Sequence, residues 1–261
     1  MKSYQLNHIL NNKTLGSSEL VQLLNNYLLS ISDNIPVIIK TARIVKTKLG
    51  HFETVNSYLD EMSSVIKVKE KKELLEFFKE YSINENQKAK IIFNRIYPRL
   101  KEIPNVITLS RSGTVLAVLK LLHQKNKKIK VVVCESRPKF EGRLTVKELS
   151  EVGIKVELIT DAMMGLYVPK IDAAIIGADV VLNNGNLVNK VGSRALGILC
   201  KEYKKPFYVV TSKSKLSKKK IFKAKKEKPQ EIWDKKLRNL RIHNFYFEEL
   251  EKKLITKIFT D

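Results

Sequence analysis

Five short clusters combine side chains that could do chemistry. Ser110-Arg111-Ser112-Gly113-Thr114 follows an apolar run and opens a helical stretch, so its backbone N–H groups could meet an anion at a helix N-terminus. Plain turn and cap chemistry is the competing reading of a Ser-Gly pair there. Glu135-Ser136-Arg137-Pro138, with Glu141-Gly142-Arg143 just beyond, sets opposed charges close enough to pair with one another. Gly177-Ala178-Asp179 ends another apolar run, and partial burial there would raise the Asp179 pKa toward general acid–base use. A turn-capping aspartate is the alternative. Asn183-Asn184-Gly185-Asn186 reads as a tight turn, and Asn189-Lys190-Val191-Gly192-Ser193 enters a helix as a candidate phosphate cradle. The histidines at 8, 51, 123 and 243 lack ligand spacing, so no metal site is expected. No G-x-G-x-x-G or Walker A pattern is present, and no cofactor is expected.

The elements that must position these residues fall into two kinds. Residues 1–101 carry apolar positions at three- and four-residue spacing, as in VQLLNNYLLSI and KELLEFFKEYSI, which predicts amphipathic helices. Ser17 or Ser18 is expected to cap one of them, and Pro36 to open or interrupt another. Helix is expected over about 69–100. From 102 to 261 the pattern alternates. Runs at 106–110, 130–136, 155–160, 173–179 and 206–210 are rich in β-branched residues, with helical stretches between them. Runs apolar at nearly every position imply strands buried on both faces, hence a parallel sheet with helices on each side. The expected fold class is α/β: a helical N-terminal domain (1–101), then a Rossmann-like parallel-sheet domain (102–261). In such sheets ligands bind at the carboxyl ends of the strands, which is where the Ser110, Glu135 and Asp179 clusters lie.

Composition bounds the partners. Lys+Arg 49 against Asp+Glu 27 gives a formal charge of +22, a surface that attracts RNA, acidic protein faces or phosphorylated small molecules. A lysine-rich solvated surface is the bland alternative. The densest cluster, Lys213 to Lys228, reads as an exposed, mobile loop. Cys134 and Cys200 are expected as buried free thiols, which with the absence of a signal sequence or membrane span suggests a cytoplasmic protein.

In order, Val106 through Pro138, Leu144-Thr145, Glu148-Leu149, Asp161-Ala162, Gly177-Ala178-Asp179, Asn183 to Gly185 and Asn189-Lys190-Val191-Gly192 resemble the alpha/beta/delta regulatory subunits of translation initiation factor 2B. That superfamily includes methylthioribose-1-phosphate and ribose-1,5-bisphosphate isomerases. The likeness returns at 254–261 and, more faintly, at Lys13-Thr14-Leu15-Gly16-Ser17-Ser18-Glu19. It implies a C-domain dimer, as a homodimer or with a paralogue, and a protein partner in translation, with the initiation factor 2 alpha subunit as the candidate. It also implies degenerate isomerase positions. Ser110 stands where the isomerases carry an acid–base cysteine, Arg111 where they carry asparagine, while Asp179 keeps their aspartate. Leu15-Gly16-Ser17 replaces their Arg-Gly-Ala, and Ile35 replaces an arginine before proline. Asn189 and Lys190 of their phosphate site are retained. Gly16, Ser17, Ser110, Arg111, Asp179, Asn189 and Lys190 are thus the candidate ligand residues, for a sugar phosphate or nucleotide. A non-catalytic regulatory subunit is the expected function. The alternatives are a sugar-phosphate aldose–ketose isomerase and a pseudo-enzyme that still binds a phosphorylated ligand.

Overall fold

The computed structural model describes all residues except Met1, Lys13, Thr14, His51, Lys69 and Glu70. The Lys13-Thr14 part of the family likeness and the histidine at 51 therefore lie outside the described residues. Two compact units are present, Met1–Lys90 and Ile91–Asp261.

The first unit is helical: α1 (Lys2–Asn11), α2 (Ser17–Ser30), α3 (Ile35–Leu49), α4 (Glu53–Val68) and the first part of α5 (Lys71–Leu100). Its core gathers Leu24, Leu28, Tyr58 and Phe78, from the segments whose periodicity marked them as amphipathic, together with Ile38 and Val45 of α3. Burial of each such side chain stabilises by about 1.5–3 kcal/mol. One polar group sits within this core. The Asn25 amide donates to the Phe78 carbonyl (2.8 Å) and accepts from the Tyr58 hydroxyl (2.9 Å), so its burial leaves neither group unmatched. Pro36 opens α3, behind an Asn34 side chain that accepts from the Val37 N–H (3.1 Å). Neither Ser17 nor Ser18 caps α2. The cap residue is Gly16, whose N–H donates to the Glu19 carboxylate (3.1 Å). Ser17 has turned inward, fully buried, with its hydroxyl 3.3 Å from that of Thr54.

The second unit begins on α5. Ile92, Phe93, Ile96 and Leu100 of that helix pack into the core beneath the sheet. Then follow β1 (Asn105–Leu109), α6 (Gly113–Lys125), β2 (Lys130–Cys134), α7 (Glu141–Ser150), β3 (Lys155–Ile159), α8 (Met164–Tyr167) and β4 (Ala173–Ile176). Next come β5 (Val180–Val181), β6 (Leu187–Lys190), α9 (Ser193–Glu202), β7 (Phe207–Val210), β8 (Phe247–Leu250) and β9 (Lys257–Phe259). Six strands form one parallel sheet in the order β3-β2-β1-β4-β7-β9. β1, β2, β4 and β7 have apolar residues buried on both faces, with one core cluster on each side. β3 departs from that expectation. As the edge strand it leaves Glu157 and Leu158 exposed, and only Ile159 is buried. The chain order turns back between β1 and β4, the switch point at which such sheets open a crevice.

A second, antiparallel sheet of order β5-β6-β8 has no counterpart in the strands expected from the sequence. β5 and β6 are joined through Asn183–Asn186, where Gly185 takes φ +82. β8 lies along β6 with Glu248 opposite Asn189 and Phe247 opposite Lys190.

Candidate functional site at the strand ends

The turn after β1 is held from three sides. Ser110 adopts a left-handed conformation, φ 64. Its N–H donates to the Ser136 hydroxyl (2.7 Å) and its carbonyl accepts from the Thr145 hydroxyl (2.9 Å). Ser136, also left-handed and fully buried, donates from its own hydroxyl to the Cys134 carbonyl (3.1 Å). Such backbone strain in a non-glycine residue persists only where surrounding bonds fix it. The Arg111 guanidinium reaches Glu148 on α7, at 2.6 and 2.8 Å, and its side chain is almost wholly buried. Ser112 is the N-cap of α6, its hydroxyl accepting from the Val115 N–H (3.4 Å). A Cβ at Gly177 would come within 2.4 Å of that hydroxyl, so glycine there lets β4 pass the cap.

The turn after β2 already holds a carboxylate. Asp161 accepts the N–H groups of Ser136 (2.8 Å) and Arg137 (2.7 Å). The expected pairing of opposed charges occurs between Arg143 and Glu135 (3.0 Å). Glu141, however, pairs elsewhere.

Its partner is Lys190. The Lys190 Nζ donates to Glu141 Oε1 at 2.7 Å, with the two side chains only 4% and 9% exposed. The second oxygen, Oε2, has no hydrogen-bond partner among the described residues. Burial pushes the Glu141 carboxyl up more than Lys190 draws it down. The same ammonium lies 4.9 Å from the centre of the Tyr246 ring, and the Tyr246 hydroxyl donates to Glu231. Asp179, just past β4, is crowded by protein yet keeps some solvent contact. Desolvation raises its pKa against the pull of Lys215 and Lys190, in the direction expected from its place at a strand end. Lys215 is itself buried, so the basic segment is not exposed throughout.

Asn189 turns its amide to the Ser193 hydroxyl (2.8 Å), which in turn donates to the Lys190 carbonyl (2.7 Å). The N-terminus of α9 is reached through Gly192 at φ +103. Glu248 from β8 fills this end: its Oε1 accepts the N–H groups of Gly192 (2.7 Å) and Arg194 (2.9 Å). A carboxylate of the chain itself thus takes the place where an anion would be expected.

Ser110, Arg111, Asp179, Asn189 and Lys190 all belong to the second unit, at or near the carboxyl ends of β1 and β4 or on β6 beside them. Gly16 and Ser17 belong to the helical unit. Glu141, Glu148, Lys215, Glu248 and Tyr246 were missed as site neighbours. In the sequence Glu141 reads only as pairing within its own cluster, Glu148 only as one of the family-like residues and Lys215 only as part of the basic cluster, while Tyr246 and Glu248 carry no signal. Among the described residues no cluster of His, Cys, Asp or Glu could hold a metal ion. Cys134 and Cys200 are free and buried, and burial pushes each thiol up to about 12. None of the described helices is long and apolar enough to cross a membrane.

Comparison with known proteins adds the decisive observation: the initiation factor 2 subunit family matches residues 4–261. The chain belongs to that family. Over 124 residues it is 38% identical to a ribose 1,5-bisphosphate isomerase of Archaeoglobus fulgidus, covering 48% of this chain and 40% of that protein. Over 158 residues it is 36% identical to a putative translation initiation factor eIF-2B subunit 2-like protein of Pyrococcus furiosus, covering 60% and 55%. The chain thus spans about half the length of the curated relatives it matches. Among solved structures, a Pyrococcus horikoshii translation initiation factor eIF-2B superposes with a TM-score of 0.80 at 24% identity, over 99% of this chain and 94% of that one. At that identity the likeness speaks for the fold alone. A tetrameric eIF2B-beta2-delta2 complex from C. thermophilum is similar in fold as well (TM-score 0.78, 12% identity, 99% of this chain and 90% of that one). The family therefore includes both isomerases and factor subunits. In this member, Ser110 closes β1, while the Lys190 ammonium and the first N–H groups of α9 are matched by carboxylates of the chain itself.

Proposed function

We propose that this member of the initiation factor 2 subunit family is a non-catalytic subunit that acts by binding a protein partner in translation. One observation carries the reading: Ser110 stands where the resemblance places the isomerase cysteine. A hydroxyl loses its proton far less readily than a thiol, and a missing acid–base group costs about 10²–10⁴-fold in rate. The surroundings support it. Lys190 is held by Glu141, the α9 end is held by Glu248, and Leu15 and Ile35 are apolar where the isomerases carry arginine.

The similarity to ribose 1,5-bisphosphate isomerases favours a second reading, that of an aldose–ketose isomerase, with Asp179 and Lys190 still present. One assay separates the two. The protein is mixed with ribose 1,5-bisphosphate or methylthioribose 1-phosphate, and ketose formation is followed by NMR. No turnover is expected. Turnover near about 1 s⁻¹, in the ordinary enzymatic range, would make the isomerase reading correct. Binding to the purified initiation factor 2 alpha subunit, measured by calorimetry, tests the partner.

A further inference from the structure

Between β7 and β8 the chain runs through a long segment, Lys213 to Arg241, of which Lys215 and Glu231 reach the strand-end site and the rest lies outside it. It holds thirteen Lys or Arg against Glu227, Glu231 and Asp234. Apart from Lys215, all of these basic residues are exposed. The segment is anchored rather than loose. Lys226 bridges to Phe245, Arg137 donates to the Ile232 carbonyl (3.1 Å), and Asn244 donates to the Lys228 carbonyl (2.8 Å). Its fold back onto β8 leaves an open groove of about 650 Å³. Phe222, Phe245, Phe247 and His243 line the groove, each ring in part accessible. Glu248 and Glu249 also reach it, but Glu248 is bound to the α9 N–H groups and Glu249 accepts from Asn186 (2.7 Å). Trp233, the sole tryptophan of the chain, is half exposed on the same segment.

We propose that this segment and its groove bind single-stranded RNA, with bases stacking on the aromatic rings and phosphates meeting the lysines. Rings in an open groove beside cations of one sign are what unpaired nucleotides need, since every base has a stacking face and every linkage a charge. A duplex offers no exposed base face to such a groove. An acidic protein is the weaker fit, because lysine is depleted at protein–protein interfaces, whereas protein surfaces that bind nucleic acid are strongly positive. This goes beyond the function proposed above and does not depend on it: a protein that fails to bind RNA leaves the outcome of the isomerase assay untouched.

The test is anisotropy of a fluorescein-labelled oligouridylate with the full chain, from about 50 to 200 mM salt, where affinity should fall by about 0.7 log unit per log unit of salt for each phosphate contacted. Binding should also change the Trp233 fluorescence. Lys218, Lys220, Lys223 and Lys226 changed together to Glu should weaken binding about tenfold or more. Reversal of Lys40, Lys48, Lys79 and Lys90, exposed on α3 and α5, is the matched control and should cost far less. Phe222→Ala should weaken binding about fivefold or more through lost stacking, with its circular dichroism and Tm unchanged. Equal losses in both lysine sets would overturn the proposal in favour of diffuse charge. Equal affinity for duplex RNA would overturn the stacking groove, and displacement of the RNA by polyglutamate at matched charge would point instead to an acidic protein. No binding at all overturns it outright.

Discussion

Lys190 and Glu141 lie 49 positions apart in the chain and 2.7 Å apart in space, almost without solvent. Taking two charges out of water is expensive, and breaking such a pair from one side leaves the other charge stranded. Lys190→Met alone should therefore cost about 3–5 kcal/mol in urea unfolding, whereas Lys190→Met with Glu141→Leu should come close to the parent. Asp179 yields a pH prediction. Its raised folded-state pKa means that the native chain binds more protons than the unfolded one between the ordinary Asp value of about 3.9 and the raised value. Stability should fall as pH rises through that window. Asp179→Asn should flatten that slope and raise Tm above it, as calorimetry over pH 4–8 would record. Asp179, Asn189 and Lys190 were legible because each closes or follows a patterned run. Their counter-charges were not: local spacing says nothing about which carboxylate folding brings from α7 or β8.

At the scale of elements, five strands of the parallel sheet were readable as apolar runs rich in β-branched residues, the sixth, β9, was not, and the strand order is that of a doubly wound sheet. The short antiparallel sheet was not legible, since β5 has two residues and β8 reads FEEL, too polar to announce a strand. Two glycines show how tightly elements approach. A Cβ at Gly142 on α7 would fall 1.9 Å from the Cys134 carbonyl oxygen of β2, which is fixed backbone. Gly142→Ala should cost more than about 3 kcal/mol. At Gly197 on α9 the nearest atom is a Phe207 ring carbon at 2.9 Å, in a ring that is fully buried in the core. There the helix-propensity gain of about 1 kcal/mol offsets part of an overpacking cost of about 1–3 kcal/mol, so Gly197→Ala should destabilise by less than Gly142→Ala, up to about 2 kcal/mol. Glu248 makes a third element-level prediction. Glu248→Ala should destabilise α9 by about 1–2 kcal/mol, as loss of a cap does. The same variant should gain stabilisation from added inorganic phosphate, read as a Tm shift absent in the parent. A variant indifferent to phosphate would mean the α9 end is closed for reasons beyond Glu248.

For the whole molecule, the change of pattern at about residue 102 marks where strands begin, but not where the second core begins. Ile92, Phe93, Ile96 and Leu100 look like any other amphipathic helical residues, and periodicity cannot say which core a helix face joins. A fragment starting at Ile91 should fold by circular dichroism and melt cooperatively. One starting at Glu102 should melt lower or aggregate, having lost four buried side chains of about 1.5–3 kcal/mol each. The division between the two compact units thus falls inside an unbroken helix, with no Pro-, Gly- or Ser-rich linker to mark it. Proteases need several residues of extended backbone, which helices withhold and irregular exposed segments supply. Trypsin, offered lysines along the whole length of the chain, should therefore leave this junction intact and nick first among Lys218, Lys220, Lys223 and Lys226. The chain would then part into pieces that bear no relation to its domains.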